Sequence, residues 1–331
     1  MSVQGWYAYE GDKWLPNRRK RVVRNPYASV DWATFKHYKA NLHSHTQESD
    51  GQETVASVID LYHAWRYDIL AITDHYTNTW PWTDYGRDPD TMDPPILAVR
   101  GNEAGQTDHH VLAMLTDWPS ETTKSGPASI PYVDANGGYT VFAHPGRYDE
   151  TDDWYLQWHL DYASVRGIEI RNQGNRFNDT PLWDRLLELA APQDLSVWGH
   201  STDDMHTVGH LGRNYHVHMM PALTTEAFEK SMTDGAFFAV YDWDGRKIES
   251  HVNDQEPGFW VPGAIVDNIT VDDLSIAIDA RQVETYTWYS NGQVVGNGPE
   301  LALTSRVLGA YVRAELRIGS VTTYTQPFYL R

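Results

Sequence analysis

Cysteine is absent from the 331-residue chain. Without thiols the protein can form no disulfide bond, use no cysteine nucleophile and bind no zinc ion through sulfur. Any metal ion that it binds must therefore be held by nitrogen and oxygen ligands.

Long apolar runs and net positive charge are also lacking. No stretch reaches the roughly 18 to 20 apolar residues of a membrane span, and the first residues contain no apolar signal core. The formal net charge of −19 argues against broad electrostatic capture of nucleic acid or of anionic membranes. We therefore expect a cytoplasmic protein with no membrane partner and no extensive nucleic-acid surface.

What the chain does contain is six short segments of histidine and carboxylate residues in a fixed order. They are Asn41-Leu42-His43-Ser44-His45, Asp50-Gly51, Thr73-Asp74-His75, Gly101-Asn102-Glu103, Ala143-His144-Pro145-Gly146 and Asp203-Asp204-Met205-His206. Most of them follow an apolar or β-prone run, and in a barrel the residue just past the carboxyl end of a strand lies on the catalytic rim. Together they predict one multinuclear metal site and favour metal-dependent hydrolysis.

The first two segments supply three side chains for such a site. His43 and His45 are separated by one residue, so both imidazoles lie on the same face of a strand. Asp50 follows in the next loop and adds a carboxylate, a hard ligand suited to a second ion.

The next segments add a bridging carboxylate. His75 is expected to face the mouth of the site, with Asp74 orienting a neighbouring imidazole. Glu103 ends the third predicted strand, and one carboxylate can bridge two ions about 3.5 to 4 Å apart. His109 and His110 are adjacent and point to opposite faces of a strand, so only one of them is expected to bind metal.

The last segments add a group for the substrate. His144 ends a strand, and the proline and glycine that follow turn the chain and bring Arg147 to the same rim. A guanidinium there suits an anionic oxygen of phosphate or carboxylate. Asp204 and His206 are two residues apart and can both reach the cluster, with Asp203 behind them.

Other residues are assigned to the walls of the site. Glu169 ends a strand and is interpreted as a wall residue, with a ligand role as the alternative. The loop at residues 77–95 is a candidate lid. Aromatic residues at 80–85, with Trp154, Tyr155 and Trp158, either belong to the core or line a pocket for a base, sugar or aryl group.

Apolar spacing predicts strands alternating with helices, typical of a parallel sheet in an α/β barrel. One predicted helix is Thr225–Asp234, with Thr224 as N-cap and a stop at Gly235. The predicted units are an N-terminal extension at residues 1–37, the barrel at 38–263 and a β-sandwich-like module at 264–331. The basic run at residues 18–24 is either an arm for a phosphate-bearing partner or a strap docked by its tryptophans.

In this order the motifs resemble the polymerase and histidinol phosphatase (PHP) family of metal-dependent phosphoesterases, and within it the CehA/McbA-like metallohydrolases. The matching residues are Leu42-His43-Ser44-His45-Thr46, Ser49-Asp50-Gly51, Ala71-Ile72-Thr73-Asp74-His75, Glu103, His110, Ala143-His144-Pro145-Gly146-Arg147 and Asp203-Asp204-Met205-His206. The resemblance spans residues 38–240. The sequence departs from the branch at Ala113, where a glycine is common.

The resemblance implies a distorted (β/α)7 TIM-like barrel of the PHP fold with two or three divalent ions of zinc, manganese or iron. The implied ligand sets are His43, His45, Glu103 and Asp204; Glu103, His110 and His144; and Asp50, His75 and His206. The implied activity is phosphomonoester or phosphodiester hydrolysis by a metal-bridging hydroxide. The implied catalytic residues are Arg147, on a non-reacting oxygen, and His206, as proton donor. The implied partner is a small anionic substrate such as a nucleotide or aryl ester.

Two other functions stay open at this point. A carboxyl ester, carbamic ester or amide hydrolase could use the same ions. Amidohydrolase barrels often bridge their ions with a carboxylated lysine, but Lys124 is the only lysine between His75 and Asp204, so Glu103 fits better. The second alternative is a non-catalytic metal-binding scaffold. The β-module has packing or dimerisation as its default role, which leaves a homo-oligomer open.

Overall fold

The computed structural model describes residues 7–10, 13–16, 19–106, 108–116, 125–243 and 263–331. The helices in this part of the chain are α1 (Val55–Ala64), α2 (Ile130–Ala135), α3 (Asp152–Asp161), α4 (Thr180–Ala190) and α5 (Thr225–Asp234). The strands β1 to β22 are, in chain order, Tyr7–Glu10, Lys13–Pro16, Val22–Arg24, Lys36–Asn41, Ile69–Ala71, Leu97–Val99, Gly101–Ala104, Val111–Met114, Tyr139–Phe142, Val165–Asn172, Phe177–Asn178, Trp198–Thr202, Asn214–Met220, Phe237–Asp242, Ile265–Val271, Ser275–Arg281, Thr285–Ser290, Gln293–Asn297, Glu300–Ala302, Tyr311–Ile318, Val321–Tyr324 and Phe328–Leu330.

A side-chain cap and a glycine set the two ends of the predicted helix α5. The Thr224 hydroxyl accepts a hydrogen bond from the amide of Ala227 at the start of α5, which ends at Gly235 with φ of 76°. The α3 helix was not predicted, because it buries only Tyr155, Leu156 and His159 and its apolar stripe is weak. Among the described residues, no helix is both long and apolar enough to cross a lipid bilayer.

The strands that carry the candidate site lie in two open sheets. In the larger sheet β4, β5 and β6 are parallel, and β13 and β14 continue from β4 in antiparallel order. In the smaller sheet β9, β10 and β12 are parallel, whereas β8 is antiparallel to both β7 and β9.

The chain is therefore mixed α/β, but hydrogen bonds between the described strands do not close a barrel. A (β/α)7 barrel joins parallel strands through helices, and such a crossover takes a dozen or more residues. Only residues 105–110 separate β7 from β8, which is too short for a helix and enforces an antiparallel pair.

The C-terminal strands extend the larger sheet. Strand β21 pairs with β14, where Ala239 faces Tyr324, and β20 pairs with β21 and β17. The buried Arg313 on β20 also pairs with Asp184 on α4, with Nη2 2.7 Å from Oδ2. These contacts fix the C-terminal strands against the part of the chain that carries the site. The division into three units stays a prediction.

The basic N-terminal run docks through its backbone. Strand β3 pairs with β22, and Arg24 lies 3.2 Å from Asp194. This supports the strap over the free arm, with strand pairing as one anchor. Of the tryptophans in the segment, Trp32 also packs against the hydrophobic core, whereas the side chains of Trp6 and Trp14 lie outside the described residues.

Candidate metal centre

All nine predicted ligands meet at one cleft of about 290 Å³ and the buried layer beneath it. The residues that line the cleft are Asp50, His75, Glu103, His110, His144, Arg147, Gln173, Arg176, Phe177, Asp204, His206 and His210. His43 and His45 are fully buried below them. Most of these residues follow the carboxyl ends of β4, β5, β9, β10 and β12, as the sequence predicts.

Glu103 is the centre of the cluster. Its carboxylate is buried, and each of five imidazole nitrogens lies within 3.4 Å of one of its oxygens. On Oε1 these are His110 Nδ1 at 2.7 Å and His144 Nε2 at 3.0 Å; on Oε2 they are His43 Nε2 at 3.2 Å, His45 Nε2 at 3.2 Å and His75 Nδ1 at 3.4 Å. This is the position that a bridging carboxylate requires.

The innermost group has the spacing of metal ligands. His43 Nε2 lies 3.1 Å from His45 Nε2 and 3.3 Å from Asp204 Oδ1, and His45 Nε2 lies 3.2 Å from the same oxygen. Nitrogen and oxygen ligands about 2.0 to 2.1 Å from a tetrahedral zinc ion are separated by about 3.3 Å. These three side chains can therefore hold one ion without rearrangement.

Glu169 lies behind the cluster and orients its histidines. The Nδ1–H of His43 donates to Glu169 Oε1 at 2.8 Å, which directs the Nε2 lone pair of His43 toward the cluster. Glu169 Oε2 accepts hydrogen bonds from the amide of His144 at 2.7 Å and from Asn172 Nδ2 at 2.8 Å. The interpretation as a wall residue missed this role, because a single sequence does not show which residue faces His43.

Asp50 reaches the cluster from a tight loop. Its Oδ2 lies 3.3 Å from His206 Nε2 and 3.8 Å from His75 Nε2, and its Oδ1 lies 3.4 Å from His45 Nδ1. A Cβ at Gly51 would lie 2.5 Å from the carbonyl carbon of His45, so only glycine permits this turn. Asp50 thus lies beside two members of its predicted set, His75 and His206, but the ligand atoms that the structure brings together are those of His45, Asp50 and His75.

Asp74 does not orient an imidazole, contrary to expectation, and Asp203, which lies behind Asp204 and His206, does not do so either. Asp74 Oδ1 accepts hydrogen bonds from the amide of Thr46 at 2.7 Å and the hydroxyl of Ser49 at 2.6 Å, which anchors the loop that carries Asp50. Asp203 accepts hydrogen bonds from three backbone amides, those of Gly212, Arg213 and Asn214, each at 2.8 Å. These carboxylates thus accept hydrogen bonds from nearby amides and hydroxyls, and in this way they hold the loops that position the predicted ligands.

The structure distinguishes the two adjacent histidines. His110 contacts Glu103, whereas His109 points away and its Nε2 lies 2.8 Å from the Tyr155 hydroxyl. Burial lowers the pKa of His109 to about 3, so this imidazole is neutral. Because β8 is antiparallel to β9, its start lies at the rim where the other strands end, and His110 reaches the cluster from there.

Strained backbone conformations occur in the same cleft. His144, Gln173 and Asp204 have φ of 28°, 46° and 45°, a region that residues other than glycine rarely adopt. Such strain persists where the surrounding structure enforces it, and it is frequent at functional sites.

The electrostatics of the cluster fit divalent cations. Burial lowers the pKa of His45, but Asp204 and Glu103 outweigh burial and raise it to about 10. Burial raises the pKa of Glu103, yet His43 and His110 hold it well below its usual range. The buried Asp204 Oδ1 accepts no hydrogen bond among the described residues, and the buried His144 Nδ1 makes none. Such a set of carboxylates and imidazoles without sulfur suits zinc, manganese or ferrous iron.

Comparison with known proteins finds matches among solved structures. No model of a known protein family matches the sequence, and no curated protein matches it. The chain is similar in structure to PHP-like metal-dependent phosphoesterases. The similarity concerns the fold, and the CehA/McbA-like branch stays a prediction.

Three solved structures illustrate this similarity. A two-domain protein from Bacteroides vulgatus that contains a predicted PHP-like metal-dependent phosphoesterase is 14% identical; the match covers 94% of this chain and 90% of that one, with a TM-score of 0.49. A proposed metal-dependent phosphoesterase from Bifidobacterium adolescentis is 21% identical over 51% of this chain and 88% of that one, with a TM-score of 0.38. An amidohydrolase from Chromobacterium violaceum, with bound sulfate and no metal, is 18% identical over 51% and 88%, with a TM-score of 0.35.

The candidate lid does not line the cleft, and of the two interpretations of the aromatic residues the structure supports core packing. Trp82 is buried in the core, and Trp154 stacks on His109 with ring centroids 5.5 Å apart. The aromatic ring at the cleft among the described residues is that of Phe177, and no described residue of 77–95 lines it. Lys124, the alternative bridge, lies outside the described residues.

Sequence reasoning also missed several residues at the rim. Gln173 Nε2 lies 3.2 Å from Asp204 Oδ2, and Arg176 Nη1 donates to Gln173 Oε1 at 2.7 Å. His210, by contrast, is interpreted from the sequence as a loop or pocket-wall residue near the last segment, and it does line the cleft beside His206. The position of Gln173 and Arg176 just after β10 was the available signal, because that strand ends at the same rim as its parallel neighbours.

Proposed function

We propose that the protein is a metal-dependent hydrolase that acts as a phosphoesterase. The observation that carries the proposal is the convergence of five imidazoles on the buried carboxylate of Glu103, at the floor of an open cleft. Two or three ions would be held by the ligand sets His43, His45, Glu103 and Asp204; Glu103, His110 and His144; and Asp50, His75 and His206. When bound, divalent ions lower the pKa of an attacking water and offset charge on the phosphoryl oxygens.

Residues at the rim of the cleft would bind the substrate and supply the proton that the leaving oxygen needs. Arg147 lines the cleft and is exposed, so its guanidinium can hold a non-reacting phosphoryl oxygen. As water forms its bond to phosphorus, the ester P–O bond breaks and the leaving oxygen needs a proton. His206 is the proposed donor when the third ion is not bound, because its Nδ1 lies 2.9 Å from the carbonyl oxygen of Asp204 and its Nε2, 3.3 Å from Asp50 Oδ2, can then carry a proton at the cleft.

An ester, carbamate or amide hydrolase on the same ions is the competing function. Before attack such substrates carry no negative charge at the reacting centre, whereas a phosphoester already presents anionic oxygens to the guanidinium at the rim. The arginine therefore favours phosphoesters, and a small anionic substrate such as a nucleotide or aryl phosphate is the proposed partner.

The test is hydrolysis by protein stripped with a chelator and reloaded with Zn²⁺, Mn²⁺ or Fe²⁺. The substrates are 4-nitrophenyl phosphate, its diester, 4-nitrophenyl acetate and an aryl carbamate. We expect metal-dependent release of nitrophenol from a phosphoester. The His43→Ala and Asp204→Ala variants should lose at least about 100-fold of that activity, in the range of an essential catalytic group.

His63→Ala is the matched control, because His63 lies on α1 and its Nε2 contacts the carbonyl oxygen of Pro94, away from the cleft. Hydrolysis of the acetate or carbamate alone would establish the competing function. If the metal-loaded protein hydrolysed none of these substrates, the non-catalytic metal-binding scaffold would be the remaining interpretation.

A further inference from the structure

A second arginine faces Arg147 from another loop of the cleft. Arg147 follows β9 and Arg176 follows β10, and both side chains are exposed where they line the same cavity as Glu103 and Asp204. Because the carboxyl ends of parallel β9 and β10 are adjacent, the two loops present positive charge to one small volume.

Neither guanidinium is neutralised by a carboxylate in the part of the chain that the structure describes. Arg185 and Arg313, by contrast, have carboxylate oxygens 2.7 Å away. Among the described residues, the Arg176 side chain donates a hydrogen bond to the neutral Gln173 Oε1, at 2.7 Å. In a chain with a formal net charge of −19, two uncompensated guanidinium groups at one cleft indicate an anionic ligand.

Each guanidinium is supported by a neighbouring aromatic ring. The Arg147 guanidinium carbon lies 5.9 Å from the Tyr148 ring centroid, and that of Arg176 lies 5.4 Å from the Phe177 ring centroid. Stacking limits the motion of a guanidinium while its N–H edge stays free to donate to phosphate oxygens.

The charge and size of the cleft select among phosphoesters. A phosphomonoester carries a charge of about −1.5 to −2 near pH 7, since its second pKa is about 6, and it offers three terminal oxygens. A diester carries one negative charge and has a second organic group, which must extend out of the cavity. The cavity of about 290 Å³ is at the lower end for small-molecule sites, which run from about 300 to 1,000 Å³.

We propose that Arg147 and Arg176 together bind the terminal phosphoryl group of a small phosphomonoester, so that the enzyme is a phosphomonoesterase. This proposal rests on the proposed function. Water oxygen bonds to phosphorus, the ester P–O bond breaks with its electron pair on the alcohol oxygen, and that oxygen gains a proton. The products are inorganic phosphate and an alcohol. Arg176 is the specificity-determining residue, because a second guanidinium matches the additional negative charge that a monoester carries and a diester lacks.

The test compares 4-nitrophenyl phosphate with bis(4-nitrophenyl) phosphate in the metal-loaded protein. We expect a higher kcat/KM for the monoester in the wild type. Arg176→Gln should lower kcat/KM for the monoester at least about 10-fold, the value of one hydrogen bond to a charged group, and change that for the diester less than about 3-fold. Arg176→Lys should recover part of the loss, because it keeps the charge without the planar fork.

Arg166→Gln is the matched control. Arg166 lies near the start of β10, at the end opposite the cleft, and its guanidinium carbon is 5.9 Å from the Tyr139 ring centroid. This variant should leave both rates unchanged.

Calorimetric binding of inorganic phosphate to the loaded protein gives a readout that does not depend on turnover. We expect Arg176→Gln to weaken phosphate binding by a factor similar to its effect on the monoester. A wild type that prefers the diester, or equal losses on both esters, would overturn the monoester assignment. If no ester is hydrolysed, the proposed function fails. If, in addition, Arg176→Gln leaves phosphate binding unchanged, the proposal that Arg147 and Arg176 together bind the phosphoryl group is overturned as well.

Discussion

The Nδ1 of His43 lies 2.8 Å from Oε1 of Glu169, and both side chains are fully buried. Because Glu169 Oε2 also accepts the amide of His144, one carboxylate fixes two histidines that belong to different predicted ions. The metal centre thus depends on a residue that is not itself among the predicted ligands.

Glu169→Gln should weaken metal binding by about 10- to 100-fold, the usual effect of removing such a supporting carboxylate. The amide that replaces one oxygen cannot accept a hydrogen bond, so either His43 or the backbone of His144 loses its partner. Competition with a chromogenic chelator measures the affinity. Glu188→Gln on the exposed side of α4 is the control, and equal affinities for the two variants would contradict the role of Glu169.

His110→Ala should remove one ion and most activity, because its Nδ1 lies 2.7 Å from the central carboxylate. His109→Phe should retain the metal, since His109 stacks on Tyr148 with ring centroids 4.1 Å apart and a phenyl ring can replace that contact. Elemental analysis of the two purified variants counts the ions. Loss of metal in His109→Phe with retention in His110→Ala would reverse the assignment.

Asp184→Ala should lower the free energy of unfolding by about 3 kcal/mol, because it leaves the buried Arg313 without its bidentate partner. Asp184→Leu combined with Arg313→Met should recover part of this loss, since it removes both charges. Urea denaturation measures both effects. As a control, Arg281→Ala breaks an exposed pair with Asp267 and should lower the free energy of unfolding by less than about 1 kcal/mol. If Asp184→Ala cost no more than this, burial of the Asp184–Arg313 pair would make no difference to its contribution to stability.

Acid should destabilise the fold through His159. Burial lowers the pKa of this imidazole from 6.5 to about 4, and its Nδ1 contacts the carbonyl oxygen of Tyr155 at 2.8 Å. A depressed folded-state pKa means that the contribution is fully present above pH 6.5 and is lost as the pH falls toward 4. The slope within that window approaches about 1.4 kcal/mol per pH unit.

His159→Gln should therefore flatten the dependence of unfolding free energy on pH between 6.5 and 4, whatever its effect at pH 8. The free energies of the two proteins are compared by denaturation at each pH. Parallel curves across this window would show that His159 is protonated equally in the folded and unfolded states.

The sequence alone predicted which histidines and carboxylates meet in one cluster, because strand-end positions follow from local apolar runs and from the spacing of histidines such as His43 and His45. It also determined the start and end of α5, since the Thr224 cap and the Gly235 stop act within one turn of the helix.

Tertiary structure decided the rest. Pairing between distant segments set the strand directions, and the antiparallel β8 brought His110 rather than His109 to Glu103. The open sheets, the support of His43 by Glu169 and the placement of Arg176 beside Arg147 depend on contacts between residues far apart in the chain. Local spacing cannot encode them, because the free energy that fixes such contacts arises only when those segments are packed together.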